Sequence, residues 1–195
     1  EYAAKTAYKE TDAATYQAME ALVHNLNTMN SRAGAQVPFS SLNYGTDTSP
    51  EGRMAVHNLL RATEAGLGDG ETPIFPVQIF KVKEGVNYNE GDPNYDLFRH
   101  ALRCSAKRLF PNFSFLDAPF NLQYYKPGDY NTEVAYMGCR TRVMGNVFDN
   151  TKEVTCGRGN LSFTSINLPR IGIEAKGDMK TFYKLLDEKI ALVEE

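Results

Sequence analysis

Histidine and cysteine are scarce in this sequence. Its 195 residues include three of each, with no Cys-x-x-Cys pair and no cysteine at metal-ligand spacing from a histidine. An odd number of cysteines without such pairs argues against a disulfide framework and predicts a reducing, cytoplasmic setting. The same spacing argues against a metal site within these residues.

An excess of positive charge and a long apolar run are also missing. The formal net charge is −3, whereas a protein that binds nucleic acid non-specifically is usually clearly basic. No segment approaches the roughly 18 consecutive apolar residues of a membrane-spanning helix. The chain starts at Glu1 without an initiator methionine or a signal peptide, and its last helical pattern is still running at Glu195. These features predict a fragment of a longer protein that is neither membrane-bound nor a nucleic-acid binder.

Helical and strand-like patterns alternate along the whole chain. This order is typical of an α/β fold with a largely parallel sheet, and residues 1–195 are expected to form one incomplete domain. The predicted helices run from Thr11 or Asp12 to about Asn30, from a Thr48–Glu51 capping box to Gly66, through Phe98 to Leu109, and over Asp178–Glu195. The predicted strands are Val37–Tyr44, Ile74–Val82, Phe113–Asp117, Glu133–Tyr136 and Leu161–Leu168.

Two features of these elements have a simple structural interpretation. The glycine-rich segment Gly66–Gly70 follows a helix rather than a strand, which favours a helix stop and a turn over a phosphate-binding loop. Cys104 falls beside the apolar stripe of its helix and is expected to be a small buried filler.

The candidate site is the stretch from Tyr136 to Arg142, which places Cys139 between a glycine and two arginines. A cysteine just after a strand and beside Gly138 is expected to be presented on a loop, and the positive charge of Arg140 and Arg142 favours its thiolate. The arginines could bind phosphate or could form a solvated salt-bridging face. A buried structural thiol is the alternative interpretation of Cys139.

The scarcity of histidine limits the reactions open to Cys139. An acyl-transfer cysteine needs a histidine base, yet no histidine stands between His100 and Cys139 or anywhere after Cys139. Folding could still bring an earlier histidine close, so this argument weakens a protease-like reaction without excluding it. One-electron sulfur chemistry needs no base. Asn160, Ser162 and the backbone amides around Gly157 and Gly159 could hold a polar or anionic substrate group.

Several long motifs resemble those of the anaerobic (class III) ribonucleoside-triphosphate reductases. The resemblance covers roughly Ala21 to Ile173, and its ordered motifs make it more specific than any short pattern. The motifs are His24–Arg32, Gln36–Gly45, Gly70–Pro76, Lys107–Phe113, Tyr136–Arg142 and Gly157–Arg170.

This resemblance implies a fold and a reaction. The family consists of glycyl-radical enzymes with a ten-stranded α/β barrel, in which a finger loop carries the cysteine that becomes a thiyl radical. That cysteine matches Cys139, which would abstract the 3′ hydrogen of the ribose and let the 2′-hydroxyl leave. The family's active-site methionine matches Met137 and its asparagine matches Asn160. Both would shape the pocket for the sugar and for formate, the reductant that many members of the family use.

The resemblance also implies partners that lie outside these residues. A glycyl radical would be installed by an S-adenosylmethionine/iron-sulfur activating protein, and the full-length protein would be a homodimer with a structural zinc. The chain lacks the glycyl-radical motif, the four-cysteine zinc site and the ATP-cone domain, and neither Cys104 nor Cys156 matches the family's second active-site cysteine. The fragment alone is therefore expected to be inactive. Alternatives are a formate acetyltransferase-like glycyl-radical enzyme and a non-catalytic nucleotide-binding or dimerisation module.

Overall fold

The computed structural model describes residues 2–31, 33–139, 141–143, 149 and 164–194. The chain divides into two compact units, Glu1–Gly157 and Arg158–Glu195. None of the helices in the described ranges combines the length and the apolar composition that a bilayer crossing requires.

The first unit contains a three-stranded sheet, a two-stranded hairpin and the helices around them. Its helices are α1 (Tyr2–Thr28), α2 (Pro50–Ala65), α3 (Tyr95–Arg108) and α4 (Pro119–Leu122), followed by a 3-10 turn at Tyr130–Thr132. Its strands are β1 (Ser41–Tyr44), β2 (Val77–Val82), β3 (Asn112–Phe115), β4 (Ala135–Met137) and β5 (Thr141–Val143). The second unit consists of α5 (Leu168–Ala175) and α6 (Met179–Glu194).

The predicted parallel sheet is confirmed. Strands β1, β2 and β3 pair in that order, and both pairings are parallel. A parallel pair needs a crossover connection, which α2 supplies between the first two strands and α3 between the last two. The described part of the chain is therefore an α/β structure.

The two faces of this sheet differ in chemistry because side chains alternate along each strand. One face packs against α2 and α3 around Phe80, which is fully buried beside Leu60 and Ala101. On the opposite face Asn43, Ile79 and Asn112 are register partners. Ser41, two residues before Asn43, lies on that second face as well. The sheet thus presents a partly polar surface on the side away from the helices.

The prediction for Cys104 is confirmed. Its side chain is fully buried in the core between the sheet and the helices, and its thiol lies 3.7 Å from the carbonyl oxygen of Leu60. The predicted helix stop at Gly66 is also confirmed, because this glycine caps α2 with a φ of 89°. The capping box, however, is shifted by one residue: Ser49, not Thr48, caps α2 by accepting from the backbone N–H of Gly52.

The predicted start of the first helix is wrong. Helix α1 begins at Tyr2 and ends at Thr28. The Thr11 hydroxyl donates to the Ala7 carbonyl oxygen four residues earlier, a bond made inside a helix rather than at its N-terminus. Asp12 accepts from the side-chain amide of Asn58 and is likewise no cap.

The predicted strand Leu161–Leu168 is also wrong where the structure describes it. Residues 164–167 form no strand, and Leu168 is the first residue of α5. The Asn167 side chain caps this helix by accepting from the backbone N–H of Arg170, and Pro169 occupies the first turn. An asparagine cap followed by proline is a helix start, and it outweighs the alternating apolar pattern before it.

Candidate functional site

Cys139 lies at the tip of the β4–β5 hairpin. The two strands are antiparallel, and Met137 pairs with Thr141 on either side of the turn. Cys139 is exposed. The prediction of a presented thiol is therefore confirmed, and the alternative of a buried structural thiol is wrong.

Gly138 shapes the turn that carries this thiol. Its φ of 65° lies in the left-handed region of backbone conformation, which residues other than glycine rarely adopt. A Cβ atom added at Gly138 would also meet the ring of Phe39 at 3.3 Å. The glycine therefore allows both the sharp turn and the close approach of the aromatic ring.

Two polar side chains of β1 attach this hairpin to the sheet. The Asn43 amide donates to the carbonyl oxygen of Tyr136 at 2.8 Å, and the Asn43 Oδ1 atom accepts from the N–H of the same residue at 2.8 Å. The Ser41 hydroxyl oxygen accepts from the Gly138 N–H at 3.1 Å. Sequence reasoning did not identify Ser41 and Asn43, although their alternation with Leu42 and Tyr44 marked a polar strand face.

A buried ion cluster lies at the base of the hairpin. The Glu133 carboxylate bonds Lys81 of β2 at 2.8 Å, and the side chains are 10% and 13% exposed respectively. Lys83 lies 3.6 Å from the other Glu133 oxygen. Burial alone would lower the pKa of Lys83, but its hydrogen bond to Tyr125 and the Glu133 carboxylate hold that pKa above the ordinary value. The chain that enters β4 is therefore tied to β2.

The second strand of the hairpin is braced by Arg142. Its guanidinium lies 3.2 Å from Asn121 Oδ1 and 3.3 Å from the Phe120 carbonyl oxygen, and it lies over the Phe120 ring at 5.1 Å. These contacts favour a bracing role for Arg142 over the phosphate-binding alternative.

A cavity of about 610 Å³ opens beside Cys139. Its wall combines apolar side chains with a few polar ones that could orient a ligand. The lining residues are Ile79, Leu109, Phe110, Asn112, Phe113, Tyr136, Cys139 and Arg142. Cys139 therefore borders a space that can take a small molecule.

The lining of this cavity bears on the possible chemistry. No histidine is among its described lining residues. His57 and His100 instead lie together elsewhere, with ring centroids 5.3 Å apart and His100 bonded to Glu64. Within the part of the chain that the structure describes, no three His, Cys, Asp or Glu side chains could hold a metal ion. The observed lining thus gives Cys139 no histidine base for acyl transfer.

The sequence-predicted site residues are only partly placed by the structure. Met137 is the last residue of β4. It lies between Tyr136, which bonds Asn43, and Gly138, which bonds Ser41. Asn160 lies outside the described residues, as do Arg140, Cys156, Ser162 and the Gly157–Gly159 segment. Met137 lies two residues before Cys139 in the hairpin but is not among the described lining residues of the cavity, and the roles of Met137 and Asn160 stay predictions.

Cys139 and Cys104 are expected to differ strongly in reactivity. Burial raises the pKa of the Cys104 thiol to about 11, and the thiolate is the form that reacts with alkylating agents. In the folded full-length protein, iodoacetamide at pH 8 should therefore label Cys139 and spare Cys104, as measured by mass spectrometry of the two peptides. Both should be labelled in denaturant. Labelling of Cys104 before Cys139 in the folded protein would contradict the buried placement.

Comparison with known proteins identifies similar chains. A family model described as anaerobic ribonucleoside-triphosphate reductase matches residues 1–195. A protein of that name from Escherichia coli (strain K12) is 39% identical over 178 residues, which cover 91% of this chain and 24% of that protein. The one from Salmonella typhimurium is 38% identical over 95% of this chain and 25% of its own length.

A more distant relative of the same name comes from Enterobacteria phage T4. It is 34% identical over 191 residues, which cover 95% of this chain and 31% of that protein. The chain therefore spans between 24% and 31% of the length of these curated relatives.

Proposed function

Because the chain belongs to the anaerobic ribonucleoside-triphosphate reductase family, we propose that it forms the part of such an enzyme that carries the radical cysteine. The observation that carries this proposal is the position of Cys139. Its exposed thiol stands at a hairpin tip, beside a cavity of about 610 Å³ whose described lining includes no histidine. A thiol that reacts by hydrogen-atom transfer needs this access and needs no base.

The proposed reaction converts a ribonucleoside triphosphate into its 2′-deoxy form. The Cys139 thiyl takes a hydrogen atom from C3′ of the ribose, so that the C–H bond breaks and an S–H bond forms. The 2′-hydroxyl then leaves with a proton as water. Formate loses its hydrogen and two electrons and becomes carbon dioxide, and in the overall balance that hydrogen replaces the hydroxyl at C2′. The 3′ hydrogen returns from the sulfur to C3′. A glycyl radical elsewhere in the full-length protein would supply the oxidising equivalent for the thiyl.

Met137 and Asn160 are proposed to shape the pocket for the sugar and for formate. Support for Met137 comes from its position two residues before Cys139 in the same hairpin. Support for Asn160 comes from its Gly-Arg-Gly-Asn motif alone.

The proposed setting of the hairpin is a ten-stranded α/β barrel, of which residues 1–195 form a central portion. The parallel strands β1, β2 and β3 carry α2 and α3 on one face. The hairpin is bonded to the other face, through Ser41 and Asn43. A strand face that holds a finger-like hairpin away from the helices is the arrangement expected on the inner side of such a barrel.

The proposed partners follow from the same reaction. They are ribonucleoside triphosphates, formate, a radical S-adenosylmethionine activating protein that installs the glycyl radical, and a second copy of the full-length protein in a cytoplasmic homodimer. The family's four-cysteine zinc site has no counterpart among the residues the structure describes, where no metal-holding group occurs.

The test is a product assay on the full-length protein. After anaerobic activation, incubation with ribonucleoside triphosphates and ¹⁴C-formate should yield deoxyribonucleoside triphosphate and labelled carbon dioxide in equal amounts. Deoxyribonucleotide formed without carbon dioxide release would remove formate from the proposal. Acetyl transfer between pyruvate and coenzyme A would favour the formate acetyltransferase-like alternative, and nucleotide binding without turnover would favour the non-catalytic module.

A further inference from the structure

We propose that Asn43 is a positioning residue that, together with Ser41, sets how far the Cys139 sulfur reaches into the cavity. This inference rests on the proposed function of Cys139. Neither residue is placed in contact with the substrate; both act through the backbone of the hairpin.

Asn43 pairs with β4 as a neighbouring strand would. Its side-chain amide bonds both the N–H and the carbonyl oxygen of Tyr136, each at 2.8 Å. Because these two groups of one strand residue point to the same side, Asn43 occupies the edge of β4 opposite β5. The Tyr136 peptide groups therefore depend on a single side chain for their partners along that edge.

Ser41 extends this contact to the residue that precedes Cys139. Its hydroxyl accepts from the Gly138 N–H at 3.1 Å. Ser41 and Asn43 are two residues apart on β1, as Gly138 and Tyr136 are on the hairpin, so the two bonds share one register. Together they fix the backbone on both sides of Met137.

The base of the hairpin is held separately from its tip. Glu133 joins Lys81 at 2.8 Å, and that contact lies at the start of β4 rather than at the turn. Loss of the Asn43 amide would therefore loosen β4 before the Ser41 bond and let the tip shift, while the base stays attached. This separation is what makes Asn43 a residue for positioning the sulfur rather than for holding the hairpin on the sheet.

Hydrogen-atom transfer depends steeply on the distance between the two atoms that share the hydrogen. In the proposed step one hydrogen atom passes from C3′ to the Cys139 sulfur, and the unpaired electron passes from sulfur to carbon. A displacement of about 1 Å in a reacting group can lower a rate about 100-fold. Release of the tip should slow this step without weakening nucleotide binding.

The experiment uses the activated full-length protein with Asn43→Ala. We expect kcat to fall about 100-fold, KM to stay nearly unchanged, and the isotope effect of 3′-deuterated substrate on kcat to increase. A misplaced sulfur would make hydrogen transfer the slow step. Ser41→Ala removes one bond instead of two and should act in the same direction with about a tenfold loss of kcat. It provides the measurement if Asn43→Ala fails to fold.

The matched control is Asn27→Ala. Asn27 makes a similar two-sided amide contact with Phe75, at 3.0 Å from the N–H and 2.6 Å from the carbonyl oxygen, and none of its described hydrogen bonds reaches the hairpin. It should lower thermal stability as Asn43→Ala does while kcat and the isotope effect stay unchanged. If Asn43→Ala and Ser41→Ala leave both kinetic values at the level of this control, the positioning role is wrong. An active Cys139→Ser enzyme would instead overturn the proposed function itself.

Discussion

Replacement of Cys139 by serine is expected to abolish nucleotide reduction in the activated full-length protein. The substitution changes one atom at an exposed hairpin tip, so the turn and its bonds to Ser41 and Asn43 should stay intact. An O–H bond is much stronger than an S–H bond, so an oxygen radical cannot form where a sulfur radical can. Because each ~1.4 kcal/mol added to a barrier slows a reaction tenfold, the loss should be at least roughly 1,000-fold.

The matched control for this substitution is Cys104→Ser. Cys104 is fully buried, and a serine hydroxyl there can donate to the Leu60 carbonyl oxygen that the thiol now approaches. Deoxyribonucleotide formation should therefore persist in this variant. Nucleotide affinity, measured by equilibrium dialysis, should be the same in both variants and in the parent protein. Turnover by the Cys139→Ser enzyme would remove Cys139 from the mechanism, and an effect on effector binding alone would favour the non-catalytic module.

The position of Cys139 was predictable because its signals are local. Gly138 marks a turn, the preceding residues have a strand pattern, and a cysteine between them has few ways to be buried. The alternation of helices and strands was equally local, and it gave the parallel sheet that the structure has. The cap at Asn167 was a local signal as well. The alternating apolar residues before it predict a strand, but the asparagine cap and the proline in the first turn set the start of a helix.

The attachment of the hairpin could not be predicted, because its partners are far apart in sequence. Asn43 and Tyr136 are separated by 93 positions, and Ser41 and Gly138 by 97. Polar residues at alternate positions of a short strand usually indicate a solvent-exposed face of the sheet. Here that face receives another part of the chain instead. No property of Ser41 or Asn43 alone reveals this, because the pairing depends on where the fold brings β4.

Glu133 also contacts a residue far away in sequence, Lys81 of β2, and substitution of Glu133 is expected to destabilise the hairpin. Glu133→Gln should destabilise the base of the hairpin by about 3 kcal/mol, because removal of one partner leaves buried charge unpaired. Lys81 is only 13% exposed and Lys83 is 27% exposed, so neither ammonium group is well hydrated. The measurement is hydrogen exchange of the peptide that carries β4 in the full-length protein. Its slowest amides should exchange roughly 100-fold faster.

Two controls separate buried charge from charge loss in general. Glu174→Gln removes a carboxylate whose partner Arg170 has a side chain that is 76% exposed, and such a surface pair should have no measurable effect on exchange. Lys81→Met combined with Glu133→Leu replaces the closer ion pair by apolar side chains and leaves Lys83 its hydrogen bond to Tyr125. It should restore part of the protection, since such replacements are often neutral or stabilising. If Glu133→Gln leaves exchange in β4 as slow as Glu174→Gln does, the ion cluster does not anchor the hairpin. The position of the Cys139 tip would then depend more strongly on Asn43 and Ser41, and the effect of Asn43→Ala on hydrogen transfer should be larger still.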